Sequence, residues 1–128
     1  MPKDEFELIH AYTRKQALED GVLIDVTEQA KETGFKVPVA ITANLYHQYI
    51  EPPDGLDGEG QSVAGRLHDV LFLTFLAAKD RWDGSMVVIE PLFVMGEGAR
   101  FEKVKCWVVI GPGDCGEPVL TIMLPEDY

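Results

Sequence analysis

Three histidines are the side chains of this sequence with the widest range of chemistry. His10, His47 and His68 could serve as acid–base groups or metal ligands, but no two of them have the i, i+4 spacing of a helical zinc site. His68 stands beside Asp69 in the longest apolar helical pattern, where an acid from another segment could reach it. The pattern favours a structural role for each histidine. A small enzyme or metal-dependent protein centred on His68 is the alternative.

A glycine-rich loop, GPGDCGEP at 111–118, follows the apolar run CWVVI and resembles a ligand-binding loop in composition. A Walker-type phosphate loop needs a lysine and a following helix, whereas this loop has no lysine, carries Asp114 and Glu117, and precedes another strand pattern. An EF-hand calcium loop needs alternating oxygen ligands between two helices, and this arrangement is missing too. We therefore interpret the loop as a hairpin turn in which glycine and proline satisfy the backbone angles.

Motifs for nucleophiles and cofactors are absent from the sequence. Ser62 and Ser85 are the only serines and neither stands in a GxSxG elbow, while Cys106 and Cys115 have no zinc or redox spacing. A Rossmann fingerprint is also missing, because no helix pattern follows the glycine-rich loop. We accordingly assign no catalytic residue, no metal ligand and no cofactor, and a non-enzymatic role is the prediction.

The acidic charge balance restricts the kinds of partner. The 128 residues contain 22 Asp and Glu against 11 Lys and Arg, which gives a formal net charge of −11. Direct binding to nucleic acid or to an anionic membrane surface needs clustered Lys and Arg, and no such cluster occurs. A basic protein partner is favoured instead. The candidate contact is the acid-only stretch EPPDGLDGEGQ, whose acids are Glu51, Asp54, Asp57 and Glu59.

The ends and the length of the chain predict a single cytoplasmic domain over residues 1–128. The first twelve residues, MPKDEFELIHAY, have neither the basic nor the apolar region of a secretory signal. The longest uncharged apolar stretch, Val70 to Ala78, is far shorter than the about 18 residues of a membrane-spanning helix.

Capping residues predict three short helices in the first half of the chain. Each follows a threonine that can cap it, and the first two end at a glycine. The helices are 14–20 after Thr13, EQAKET after Thr27 and ANLYHQYI after Thr42, with Gly21 and Gly34 as stops. Between them, VLIDV is interpreted as a short strand or link. FKVPVAI is an edge strand at best, because Pro38 has no backbone N–H to donate.

The longest helical pattern begins at Ser62 and runs to Arg81. Six residues form an apolar stripe and four more widen it, so this helix should be covered on more than one side. The stripe is Val63, Leu67, Val70, Leu71, Thr74 and Ala78, widened by Phe72, Leu73, Phe75 and Leu76.

After Asp83-Gly84 the pattern changes to the two-residue period of strands. MVVIEPLFVM and RFEKVKCWVVI are predicted to form a hairpin through GEGA, and PVLTIML follows as a third strand. In the second strand the face of Val104, Cys106, Val108 and Ile110 is predicted to be core. The sequence thus predicts an α+β fold, with the long helix packed on a three-stranded antiparallel meander. If the Trp107 face of the sheet or a flank of the helix stays open, a homodimer is expected.

Two long blocks, IHAYTRKQALEDGVLIDVTEQAKETGFKVPVAIT and VVIGPGDCGEPVLTIMLPEDY, with GRLHDVLFL between them, resemble a family of small acidic proteins encoded largely on bacterial plasmids and other mobile elements. The resemblance spans nearly the whole chain and carries no assigned activity, so no site is transferred from it. It implies a cytosolic bacterial setting and service to a mobile element. Combined with the acidic charge, it leads to the hypothesis of a protein that binds or inhibits a basic, nucleic-acid-handling protein.

Overall fold

The computed structural model describes residues 13–52, 62–81, 86–96 and 100–128. These residues form a mixed α+β fold, which confirms the predicted class. The elements are α1 Arg14–Glu19, β1 Leu23–Asp25, α2 Thr27–Thr33, β2 Val39–Thr42, α3 Ala43–Leu45 followed by the π-helix Tyr46–Ile50, α4 Val63–Arg81, β3 Met86–Ile89, β4 Leu92–Gly96, β5 Arg100–Lys103, β6 Cys106–Pro112, β7 Pro118–Met123 and the 3-10 helix Pro125–Asp127.

The strands form a five-stranded sheet in the order β1-β2-β7-β6-β3 and a separate pair, β4-β5. Strands β3, β6 and β7 are antiparallel neighbours, so the predicted meander is present. The prediction that the meander makes up the sheet is wrong, because β2 pairs with β7 in parallel and β1 pairs with β2. These two N-terminal strands extend the sheet beyond β7.

Strand β2 corrects the prediction for FKVPVAI. All four of its residues are buried, and it lies between β1 and β7 instead of at an edge. Pro38 precedes the strand, so every residue of β2 keeps its N–H donor. The carbonyl of Pro38 accepts a hydrogen bond from the N–H of Leu120 at 3.0 Å and so begins the pairing with β7.

The predicted hairpin strands are each broken in two. Pro91 separates β3 from β4, and the N–H of Val104 donates to the Pro91 carbonyl at 3.0 Å where β5 gives way to β6. The hairpin itself is confirmed by the antiparallel pairing of β4 with β5. Pro91 thus lies at the point where the pairing of the five-stranded sheet stops and the separate β4-β5 pair begins.

Most of the core lies on one face of the five-stranded sheet. The inward residues of the strands are buried against α2, the π-helix and α4, which confirms the predicted burial of Val104, Cys106 and Val108. Ile110, predicted to be core with them, is only half-buried. The α4 stripe is buried as well, apart from the half-buried Val63. The prediction that α4 is covered on more than one side is wrong, because Phe72, Leu73 and Leu76 remain exposed.

The other face of the sheet, which we call the outer face, is covered by α1 on the β1 side. The guanidinium of Arg14 donates to the hydroxyl of Thr121 at 2.9 Å and to the carbonyl of Leu120 at 3.0 Å. Ala17 of α1 is buried there. The helix therefore covers the part of the outer face formed by the β1 half of the sheet.

Two of the three predicted threonine caps are confirmed. Thr13 forms the predicted capping box with Gln16, and the Thr42 hydroxyl accepts from the N–H of Leu45 at 3.4 Å. The prediction for Thr27 is wrong: Val26 is the N-cap and Thr27 is the first helical residue. Its N–H donates to the Asp25 carboxylate at 3.0 Å, so the strand before α2 supplies the capping oxygen.

Candidate functional site

A cleft with a volume of about 370 Å³ opens between α2 and α4, and we call it the α2–α4 cleft. We call its apolar lining residues the floor and its polar lining residues the rim. The floor consists of Ile24, Val26, Val63, Ala64, Leu67 and Leu71, and the rim of Asp25, Gln29, Glu32, Tyr46 and His68. This combination of an apolar floor with a few polar groups is typical of ligand-binding pockets.

A close contact beyond the cleft fixes the distance between α2 and α4. Gly34 ends α2 with a φ of 122°, and a Cβ at this position would lie 3.1 Å from the ring of Phe75. The next residue, Phe35, meets the same ring edge-on, with the centroids 5.4 Å apart. The two helices are therefore packed tightly at Phe75, while the cleft lies along the earlier turns of α4.

Tyr46 reaches the cleft from a π-helical turn. A π-turn contains more residues than an α-turn, so Tyr46 and Tyr49 point in more divergent directions than they would in an α-helix. Tyr46 lines the cleft, whereas Tyr49 stacks on Phe93 with the ring centroids 5.5 Å apart. Such π-turns are rare and are often found at functional sites.

His68 lines the cleft together with two acidic residues from other segments, Asp25 and Glu32, although the Asp25 carboxylate caps α2. Its exposed ring stacks on Phe72, and its Nδ1 lies 3.9 Å from the carboxylate of Asp69. Among the described residues, no group of three or more His, Cys, Asp or Glu side chains is arranged to hold a metal ion. His68 thus shares a cleft with acidic residues from elsewhere, while the carboxylate contact of its ring is with its sequence neighbour Asp69.

The predicted acidic stretch falls mostly outside the described residues. Asp54, Asp57 and Glu59 belong to the part of the chain that the structure does not describe. Glu51 is exposed, and its carboxylate lies 2.7 Å from the Nδ1 of His47. The N–H of Glu51 donates to the carbonyl of Tyr46 at 2.9 Å, so the stretch begins one helical turn after a cleft residue.

The other predicted chemistry-bearing residues do not lie together in the cleft. His10 lies outside the described residues, and the cysteines are separated, with Cys106 buried in β6 and Cys115 exposed in the β6–β7 turn. Burial raises the pKa of the Cys106 thiol to about 12. This thiol therefore stays protonated at neutral pH and is a poor nucleophile.

The loop GPGDCGEP is the turn between β6 and β7, as predicted, and it has a second role that the sequence reasoning missed. The carboxylate of Asp114 accepts the N–H of Arg14 at 2.9 Å and that of Lys15 at 3.0 Å. An acid from a distant hairpin thus satisfies the first donors of α1, which has no acid in its own first turn.

Arg66 is the other structurally important residue that the sequence reasoning missed. Its guanidinium is buried, with the residue only 4% exposed, and donates to the carbonyls of Tyr49, at 2.7 Å, and of Val94. It also lies over the Phe93 ring, 5.6 Å from the centroid. Desolvation lowers the pKa of Arg66 from its ordinary value. One side chain of α4 thereby ties the π-helix and β4 to the long helix.

These features define an α+β protein in which a mixed five-stranded sheet carries a long helix and an acid-rimmed cleft. The chain belongs to a family of unknown function, DUF6573, whose sequence model matches residues 4–128. Comparisons with curated proteins and with solved structures give no match. Within the described residues, no helix combines the length and apolar character needed to cross a membrane.

Proposed function

We propose that this protein is an acidic binding module that docks onto a basic partner protein through the α2–α4 cleft. The observation that carries the proposal is the lining of the cleft. Its described lining includes the acidic residues Asp25 and Glu32 and no lysine or arginine. The Glu32 carboxylate is the candidate charge, because that of Asp25 caps α2. The site therefore offers burial to an apolar group and attraction to a positive charge at the same place.

An arginine or lysine side chain of the partner matches this lining. Both have an apolar stem and a cationic head, so the stem packs on Leu67 and Leu71 while the head meets Glu32. The ring of Tyr46 adds a surface on which a guanidinium can stack. A volume of about 370 Å³ is large enough for one such side chain and its neighbouring backbone.

The proposed partner is a basic protein that handles nucleic acid. Such proteins carry clustered Lys and Arg to neutralise phosphates, and a chain of net charge −11 attracts the same surface. The resemblance to proteins of plasmids and other mobile elements supports the setting: an accessory protein that binds or inhibits a nucleic-acid-handling protein in the bacterial cytoplasm. The acids at 51–59 add to the negative charge that the chain offers to such a partner.

Affinity capture with matched charge reversals tests this function. The Glu32→Lys variant reverses a rim charge, and Glu19→Lys makes the same change in the last turn of another short helix, α1. We expect wild type and Glu19→Lys to retain a Lys- and Arg-rich protein at low salt and to release it as the salt concentration rises. Glu32→Lys should lose it. Recovery of no basic partner, or equal loss with both variants, would rule out the proposed contact.

A small-molecule probe tests the cleft chemistry directly. n-Butylguanidinium mimics the end of an arginine side chain, and n-butylurea has a similar shape without the charge. In methyl NMR spectra the cation should shift the signals of Leu67 and Leu71, with an affinity about tenfold higher than that of the urea. Equal binding of the two probes, or shifts elsewhere only, would show that the cleft does not select a basic side chain.

A second candidate, a small enzyme or metal-dependent protein, rests on His68 and Glu32 lining the same cleft. Imidazole and carboxylate together are suitable ligands for Zn²⁺. Zinc titration followed by the His68 imidazole resonances separates the two candidates. Stoichiometric zinc binding that His68→Gln abolishes would favour the metal site, whereas the basic-partner proposal predicts no stoichiometric zinc binding.

A further inference from the structure

Two of the polar residues that line the α2–α4 cleft are neighbours on one face of α2. Gln29 and Glu32 are three positions apart in the helix Thr27–Thr33, so their Cβ atoms lie on the same side of it, about 5–6 Å apart. Both residues are exposed. Because the carboxylate of Asp25 caps α2, the Glu32 carboxylate and the Gln29 amide are the side-chain acceptors that α2 offers to a bound cation.

Tyr46 contributes an aromatic ring to the same cleft from the π-helix. It is half-buried and packs against the core, so the ring is held in place while part of it lines the cleft. The other ring of the lining, His68, is exposed and stacks on Phe72. Cation–π attraction is strongest where the cation is shielded from water, so Tyr46 is the ring expected to contribute.

Arginine and lysine side chains make different demands on such a site. The ammonium of lysine is a compact, strongly hydrated charge with three donors, and several oxygen acceptors are needed to replace its water. The guanidinium of arginine is planar and more weakly hydrated, binds one carboxylate through two parallel hydrogen bonds and stacks on aromatic rings. The cleft provides the Glu32 carboxylate, an amide, the Tyr46 ring and an apolar floor. Arginine therefore loses less hydration in the cleft and gains more contact.

We propose that the α2–α4 cleft selects an arginine side chain over lysine and that Tyr46 determines this selection. The inference rests on the proposed function, since it specifies which basic side chain of the partner the cleft takes. The stem of the arginine packs on Leu67 and Leu71, its head binds Glu32, and one face of the guanidinium lies on the Tyr46 ring. A partner in which lysine replaces this arginine keeps its charge but loses the stacking contact.

Two small cations of equal charge test the selection. n-Butylguanidinium and n-butylammonium have the same alkyl chain and differ only in the head group. In methyl NMR titrations of the wild type, the guanidinium should bind about fivefold more tightly than the ammonium, as expected for one cation–π contact at a partly shielded site. Intermolecular NOE cross-peaks should connect the methylene next to the guanidinium to the ring protons of Tyr46.

Variants of Tyr46 separate the effect of the ring from a merely structural role. Tyr46→Phe keeps an aromatic ring and should retain the preference for guanidinium, whereas Tyr46→Leu should reduce the ratio of the two affinities to about one. The affinity for n-butylammonium should change less than about twofold, because a strongly hydrated ammonium gains little from the ring. Tyr128→Leu is the matched control: it makes the same change at an exposed tyrosine that packs on Trp107, and it should leave the preference unchanged.

The possible results distinguish this inference from the function on which it rests. If neither cation binds more tightly than n-butylurea, the cleft is not a site for a basic side chain at all. Equal binding of the two cations, both above the urea, would leave that site in place and overturn the selection of arginine. A preference that persists in Tyr46→Leu would overturn the role of Tyr46. The affinity ratio and the NOE are measured on the wild type, so they test the selection even if Tyr46→Leu does not fold.

Discussion

The two edges of the five-stranded sheet differ in how they are protected. Strand β1 is only three residues long and ends in Asp25, whose carboxylate binds the first N–H of α2. Helix α1 packs beside it, and α2 begins two residues after it. Strand β3 has four apolar residues, and the two on its outer face, Met86 and Val88, are exposed. Short strands, charges and covering helices are the means by which proteins protect sheet edges, and β1 has all three.

The difference between the edges bears on the proposed partner site. The α2–α4 cleft takes Ile24 and Asp25 from β1, so this site belongs to the protected edge. Strand β3 lies at the opposite edge of the sheet.

The largest expected effect is on the free energy of unfolding. It compares Arg66, which binds carbonyls of the π-helix and β4, with Arg14 on the β1 side of the sheet. Arg66→Ala removes a buried guanidinium from the carbonyls of Tyr49 and Val94, and it should lower the free energy of unfolding by about 3 kcal/mol. Arg14→Ala removes a half-buried guanidinium on the β1 side and should cost about 1 kcal/mol. Urea denaturation followed by circular dichroism measures both. Equal losses of unfolding free energy in the two variants would contradict the view that the buried Arg66 contributes more to stability than Arg14.

A smaller effect concerns the pH dependence of stability that arises from Cys106 in β6, the strand paired with β3. Cys106 in β6 pairs with Ile89 of β3, and burial raises its thiol pKa from 9.0 to about 12. Because the folded state retains the proton, the stabilisation is complete below pH 9 and is lost as the pH rises toward about 12. The loss should reach about 1 kcal/mol by about pH 10.

The matched control for this pH effect is a second cysteine. Cys106→Ala should flatten the fall in stability between about pH 8 and about pH 10, while Cys115→Ala should leave it unchanged because Cys115 is exposed. Thiol labelling of the native protein at neutral pH should modify Cys115 and spare Cys106. Rapid labelling of Cys106 would mean that β3 opens from β6 far more readily than its pairing implies.

Local patterns in the sequence predicted the local elements well. The Thr13 capping box, the Thr42 cap, the start of the long helix at Ser62 and the β6–β7 turn all depend on neighbouring residues, and all are confirmed. The family resemblance is confirmed as membership of a family of unknown function, and nothing in the comparisons bears on a mobile-element origin.

Contacts between distant residues account for what the sequence did not predict. Nothing near Val39 specifies Leu120 as its parallel partner, and nothing near Arg14 specifies the carboxylate of Asp114. The cleft has the same origin, because its lining comes from β1, α2, the π-helix and α4. The sequence did not predict the exposed flank of α4. Periodicity shows which residues of a helix are apolar, but it does not show which of them other elements will cover.

The smallest expected effect tests whether the Asp114 carboxylate stabilises α1, the helix that covers the β1 edge. Asp114→Asn removes the negative charge and one of the two acceptor oxygens that bind the N–H groups of Arg14 and Lys15. It should cost about 0.5 to 1 kcal/mol. Hydrogen exchange of the α1 amides should accelerate about two- to fivefold as the helix frays, with the β3 amides unchanged.

Glu117→Gln is the control for Asp114→Asn, because it makes the same charge change in the same turn. The Glu117 carboxylate accepts an N–H from Cys115 within the turn instead of from α1, so exchange of the α1 amides should change little. If Glu117→Gln accelerates exchange in α1 as much as Asp114→Asn does, the effect comes from the rigidity of the turn. The protection of the β1 edge would then depend on the hairpin as a whole, and the Asp114 carboxylate would not be its specific anchor.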